Sequence, residues 1–104
     1  MAEKLIRDLI PAAMIARRET RRPVRTAEPA EMEELLLAKV MEEAREIQTA
    51  PDAASLILEI ADLIEVLYAL AEQYDYMPED VGAVRQAKAA THGRFKFGFV
   101  MTVD

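Results

Sequence analysis

The fold of this chain is decided by residues 40–62, which read VMEEAREIQTAPDAASLILEIAD. Apolar residues recur every three or four positions on both sides of Pro51 and Asp52, and this spacing predicts two α-helices. Pro51 and Asp52 predict a turn between them, with Asp52 as the cap of the second helix. Because the connection is so short, we expect the two helices to pack against each other as an antiparallel hairpin.

Both helices extend beyond this stretch. The first is predicted over about residues 28–49, with Thr26 as its cap. The second is predicted over about residues 53–73 and is apolar on nearly all sides, as in a helix that is buried on several sides. A chain of 104 residues offers few elements to cover such a helix, so we expect a second subunit to supply part of the burial.

Shorter segments flank the hairpin. Pro11 favours a helix start and predicts a short helix over residues 12–18. A last helix is predicted over residues 78–91, with Gly93 as its terminator. The tail, residues 94–103, alternates loosely between polar and apolar side chains and predicts a short strand or an extended arm.

Two pairs of carboxylates lie within the hairpin at the same spacing. Glu43 and Glu46 form the first pair, and Glu59 and Asp62 form the second. Residues three apart share one side of a helix. Glu43 also continues the apolar stripe of its helix, and the antiparallel register places it level with Glu59. Such acid pairs are common on solvated surfaces, but this alignment predicts that the four carboxylates converge.

Four converging carboxylates repel one another and favour protonation unless a cation binds among them. Hard divalent ions such as Mg²⁺ prefer carboxylate oxygens and also bind substrate phosphates, and Mn²⁺ is the alternative. The sequence therefore predicts a metal site. It also predicts that neutralising Glu43 or Asp62 relieves repulsion and stabilises the metal-free protein.

Charge is segregated along the chain. The net charge is −6, yet residues 28–80 hold 15 acidic and 2 basic side chains, while residues 1–27 carry +4 and residues 81–104 carry +3. A basic surface dominates nucleic-acid-binding proteins, so we expect no specific nucleic-acid partner. The pattern suits a metal site that receives a polyanionic substrate, and solubility with internal charge balance explains it equally well.

These observations predict one all-α domain over residues 1–104. Its parts are a basic N-terminal segment (1–27), a metal-binding helical hairpin (28–74), and a C-terminal helix with its tail (78–104). No apolar stretch approaches the roughly 18 residues of a membrane span, so we expect no membrane partner. Cysteine is absent, which excludes disulfide and thiolate chemistry. We expect a cytoplasmic protein.

The acidic motif resembles that of one known superfamily. Residues 42–46 (EEARE) and, after an interval of twelve residues, residues 59–62 (EIAD) resemble an EExxE…ExxD signature. This signature is typical of the all-α nucleoside triphosphate pyrophosphohydrolases, which include MazG, the dimeric dUTPases and phosphoribosyl-ATP pyrophosphohydrolase.

Three further blocks resemble a small MazG-like branch of that superfamily. The opening KLIRDLIP is similar to a KLVRDKIP start, with Leu9 in place of the usual lysine. ADLIEV at residues 61–66 is similar to an ADvlEV segment. KAATHGRF at residues 88–95 is similar to a K…rGGF segment, with Arg94 in place of the second glycine.

The resemblance implies an α-helical protein that dimerises and a Mg²⁺-dependent reaction. That reaction cleaves a nucleoside triphosphate to the monophosphate and pyrophosphate, and clearing noncanonical nucleotides is one role for it. A second interpretation is a non-catalytic acidic helical dimer that binds a basic partner. The residues implied are catalytic Glu42 and Glu43, metal ligands Glu43, Glu46, Glu59 and Asp62, and substrate-binding Lys4, Arg7 and Lys88.

The apolar surface of the second long helix predicts self-association. Leu58, Val66 and Tyr68 lie away from the side that faces the first helix, and leaving them exposed creates an apolar patch typical of interfaces. Pairing two hairpins about a two-fold axis covers this patch in a four-helix bundle core. We therefore expect a homodimer or a dimer of dimers.

Overall fold

The computed structural model describes residues 3–19 and 21–104. Met1, Ala2 and Thr20, all in the predicted N-terminal segment, lie outside the described residues. Within the described part the chain is all-α, which confirms the expected fold class, and it contains no strand. The helices are α1 (Ile10–Ala16), α2 (Met32–Thr49), α3 (Ala53–Glu72) and α4 (Pro78–His92).

Helices α2 and α3 pack against each other as the predicted hairpin. Asp52 caps α3 as expected, since its Oδ1 accepts a hydrogen bond from the Ser55 N–H at 2.7 Å. This cap fixes where α3 begins, and therefore which residues of α3 lie level with those of α2. The register of the hairpin is thus set by the short connection itself.

The start of α2 differs from the prediction. A 3₁₀ turn, Pro29–Glu31, precedes the helix, and the Glu31 carboxylate accepts a hydrogen bond from the Glu28 N–H at 2.9 Å. Thr26 is therefore not the cap. The Glu31 side chain, three residues after Glu28, satisfies the free N–H of Glu28 instead.

The flanking segments follow the sequence closely. Helix α1 starts one residue before Pro11 and ends at Ala16, two residues earlier than expected. Helix α4 packs on α3 and ends at His92. Gly93 caps it as predicted, and its φ of 81° is a conformation that glycine adopts without strain. The tail forms no strand among the described residues, and its phenylalanines are exposed.

The described chain buries little of its own surface. Leu36 and Glu43 are the two described residues that are nearly inaccessible, at 4% and 6% exposure. The chain exposes 9521 Å², whereas a compact monomer of this mass exposes about 5,900 Å². Many apolar side chains of the hairpin therefore remain in solvent. None of the helices in the described residues is long and apolar enough to cross a membrane.

Candidate metal centre

Three carboxylates meet between α2 and α3. Glu43 and Glu46 lie one turn apart on α2, and Glu59 faces them from α3. One oxygen from each of these side chains lies within 4.8 Å of the other two. The i,i+3 spacing on α2 and the register set by Asp52 bring them together. The structure thus joins three of the four predicted metal ligands.

Two of these carboxylates hold buried oxygens that are not satisfied by the protein. Glu43 is the one nearly inaccessible charged residue in the described chain. Its Oε2 and the Oε2 of Glu59 are buried and have no hydrogen-bond partner among the described residues. Buried polar atoms are almost always paired in folded proteins. Unpaired buried acceptors on carboxylates that lie this close together indicate a site for a cation.

The crowding also changes the acidity of these groups. A hydrogen bond with Glu46, together with burial, raises the pKa of Glu59 to about 7. Burial, followed by the charge of Glu46, raises the pKa of Glu43 above its ordinary value. Near neutral pH the metal-free cluster therefore keeps a proton at Glu59, in its hydrogen bond with Glu46, since like charges in close contact cannot all ionise.

The donor set fits a hard divalent cation. All three groups offer carboxylate oxygens, which Mg²⁺ and Mn²⁺ prefer, and none offers the nitrogen or sulfur that favours softer metals. A cation here would pair with the unsatisfied oxygens and replace the shared proton. Glu43, Glu46 and Glu59 are the residues that could hold it.

Asp62, the fourth predicted ligand, is oriented differently. Its Oδ1 accepts a hydrogen bond from Arg7 Nη2 at 2.7 Å, and the pair is partly exposed at the edge of the hairpin. Its charge nevertheless contributes to the raised pKa of both Glu43 and Glu59. Asp62 is therefore a neighbour of the three-carboxylate cluster, with its carboxylate already paired to a cation from the N-terminal segment.

Glu42, predicted to be catalytic, lies between two lysines. Lys39 Nζ lies 2.5 Å from its Oε2, and Lys4 Nζ lies 3.4 Å from its Oε1. The hydrogen bond from Lys39 lowers the pKa of Glu42, so this side chain is ionised at neutral pH. The pKa of Glu42 is thus shifted in the opposite direction to that of Glu43, the next residue along the helix.

Lys39 lies at the site although it was not among the site residues predicted from the sequence. Besides Glu42, its Nζ lies 3.7 Å from Glu43 Oε1, and the side chain is mostly buried. The signal was available in the spacing, because Lys39 stands three and four residues before these two acids on the same helix. Lys39 supplies the nearest positive charge to the buried end of the cluster.

Comparison with known protein families agrees with this geometry. The sequence model for phosphoribosyl-ATP pyrophosphohydrolase matches residues 10–88, which include both helices of the hairpin and all three clustered carboxylates. The chain belongs to the phosphoribosyl-ATP pyrophosphohydrolase family. This family is part of the MazG-like all-α superfamily, and membership implies a pyrophosphohydrolase. No curated protein and no solved structure matched the chain.

Two further basic residues of this pyrophosphohydrolase-family chain, Lys88 and Arg25, make no ion pair with the three clustered carboxylates in the described part of the structure. Lys88, on the exposed surface of α4, makes no ion pair with any residue that the structure describes, and its role in substrate binding stays a prediction. Arg25 holds Glu3 at 3.0 Å and Glu31 at 2.8 Å. Arg25 therefore links the N-terminal segment to the 3₁₀ turn that precedes α2.

Proposed function

We propose that this protein is a Mg²⁺-dependent nucleotide pyrophosphohydrolase that cleaves a nucleoside triphosphate to the monophosphate and pyrophosphate. The observation that supports the proposal is the cluster of Glu43, Glu46 and Glu59, with buried oxygens that no described residue pairs. Clearing noncanonical nucleotides is the cellular role that we propose for this activity.

Each of the acidic residues has a separate role in this proposal. Glu43, Glu46 and Glu59 hold the metal, and Asp62 joins them when Arg7 releases it. A bound Mg²⁺ supplies a Lewis acid for the phosphate oxygens and for the attacking water. We propose that Glu42, which Lys39 and Lys4 keep ionised, accepts a hydrogen bond from the attacking water and orients it.

The basic residues complete the charge balance. Phosphoryl transfer depends mainly on positioning and on neutralising phosphate charge. Lys4 and Arg7 already lie at the edge of the cluster, where they pair with Glu42 and Asp62. We propose that these two side chains and Lys88 contact the phosphates of the substrate.

We further propose that two chains associate through the hairpins. The exposed surface exceeds that of a compact monomer by more than half. Leu58 is 65% exposed, while Val66 and Tyr68 are only partly covered by their own chain. A second hairpin would bury this side of α3 in a four-helix bundle core. Lys4 and Arg7 pair with Glu42 and Asp62 of their own chain, so we propose that each subunit supplies its own basic residues to its site.

The direct test is release of pyrophosphate. Purified protein with Mg²⁺ is incubated with a panel of nucleoside triphosphates, including deoxy and oxidised forms, and with phosphoribosyl-ATP. We expect hydrolysis of at least one, and its loss in Glu43→Gln and Glu59→Gln. Glu34→Gln, on the exposed surface of α2, is the matched control and should keep full activity. Failure of the wild-type protein on every nucleotide would refute the proposal.

A further inference from the structure

Three ion pairs involve the segment before α1, and two of them reach the hairpin. Glu3 pairs with Arg25, Lys4 pairs with Glu42, and Arg7 pairs with Asp62. This segment is not helical until Ile10. Two of the three ion pairs, Lys4 with Glu42 and Arg7 with Asp62, involve acids next to the metal cluster.

Arg7 pairs with the one predicted metal ligand that stays outside the three-carboxylate cluster. Asp62 Oδ1 accepts the Arg7 guanidinium at 2.7 Å, and one oxygen each of Glu43, Glu46 and Glu59, but not of Asp62, converges on a single space. We propose that Arg7 is a positioning residue: it holds Asp62 outside the cluster in the metal-free state and exchanges Asp62 for substrate phosphate when a divalent cation binds. This inference rests on the proposed function.

The exchange is energetically accessible because the pair is exposed. The side chains of Arg7 and Asp62 are 58% and 40% exposed, and pairs of this kind change an equilibrium by only about two- to five-fold. A divalent ion attracts the carboxylate more strongly than a guanidinium does, since it carries twice the charge. The released guanidinium keeps five N–H donors in a planar arrangement that matches phosphate oxygens.

Metal affinity gives the first readout. In calorimetric titrations with Mg²⁺, Arg7→Gln should bind about two- to five-fold more tightly than the wild-type protein, because the ion no longer displaces a guanidinium. Arg17→Gln is the matched control: it removes the same charge from a pair with Glu19, which lies outside the site, and should bind as the wild type does. Arg7→Lys, which keeps the charge, should bind Mg²⁺ with an affinity between those of the wild type and Arg7→Gln.

Mobility of the segment gives the second readout, which a general effect of charge would not produce. Amide order parameters from NMR relaxation for residues 5–9 should be lower in the wild type with Mg²⁺ than in the metal-free wild type. Arg7→Gln should show the low values without metal. Adding inorganic pyrophosphate with Mg²⁺ should restore order in the wild type and leave Arg7→Gln mobile.

The outcomes separate this inference from the function on which it rests. If Mg²⁺ binds but leaves residues 5–9 ordered, or if Arg7→Gln and Arg7→Lys both bind the ion no more tightly than wild type, Arg7 is only a structural contact. The metal site then stands and the exchange is wrong. If no variant binds Mg²⁺ at millimolar concentration, the proposed function fails and the exchange fails with it.

Discussion

Replacing Glu43 with glutamine should stabilise the metal-free protein. The Glu43 carboxylate is nearly inaccessible, its Oε2 has no hydrogen-bond partner among the described residues, and its nearest cation, Lys39, lies 3.7 Å away. Glutamine has the same shape, carries no charge and brings an NH₂ donor next to Glu46 and Glu59. The substitution removes a buried charge and adds a donor where acceptors are in excess.

The size of the gain follows from the cost of these groups. A hydrogen bond to a charged acceptor contributes about 1.5–3 kcal/mol, and an unsatisfied buried acceptor costs about 1–3 kcal/mol. Part of this is offset because the amide oxygen of glutamine keeps one unpaired position. We therefore expect the free energy of unfolding at pH 8 to rise by about 1–2 kcal/mol. In a domain of this size that raises the Tm by roughly 4–16 °C.

The assay is urea or thermal unfolding in EDTA at one protein concentration. Glu42→Gln is the control, since it makes the same chemical change at the adjacent residue. Glu42 is already paired with Lys39 and Lys4, so its loss should leave stability unchanged or lower it. With saturating Mg²⁺ the wild type should become more stable than Glu43→Gln, because the ion stabilises only the protein that binds it.

One result would refute this reasoning. If Glu43→Gln lowers the free energy of unfolding in EDTA by more than about 1 kcal/mol, then the native structure needs the Glu43 carboxylate for its own packing. The cluster would then be a satisfied structural network, and the unpaired oxygens would no longer indicate a cation site.

Three further outcomes follow from the same contacts. Asp62→Asn should be neutral or lower the free energy of unfolding by up to about 1 kcal/mol in EDTA, because Asp62 is paired with Arg7; the sequence alone predicted a gain. Without metal, stability should fall as pH rises from 4.5 to about 7, since the folded state retains a proton at Glu59 that the unfolded chain releases. Glu59→Gln should remove that slope in urea titrations, and a slope that persists contradicts the shared proton. Leu58→Glu should reduce the particle mass measured by light scattering. Ile15→Glu changes a similarly exposed residue of α1 and should leave the mass unchanged. Equal masses for the two variants would exclude α3 as the interface.

The hairpin and the location of its acids could be predicted because their causes are local. Helical periodicity, the turn at Asp52 and the i,i+3 spacing each involve residues a few positions apart. Once the turn is fixed, the rise per residue places Glu43 level with Glu59 without knowledge of any other segment. The start of α2 was harder, because several polar residues near Thr26 compete to satisfy the same backbone donors.

Contacts between distant segments were decided only by the tertiary structure. Arg7 and Asp62 are 55 positions apart, and the path of the non-helical residues before α1 is not set by local backbone preference. The same holds for Lys4 and Glu42, 38 positions apart.

The sequence by itself determined that this is a helical hairpin carrying a set of acids, and its motif indicated the superfamily. The folded chain alone showed which carboxylate oxygens are buried without a partner and which are already paired. That distinction depends on burial and on the positions of individual cations, and both arise only when separate parts of the chain come together.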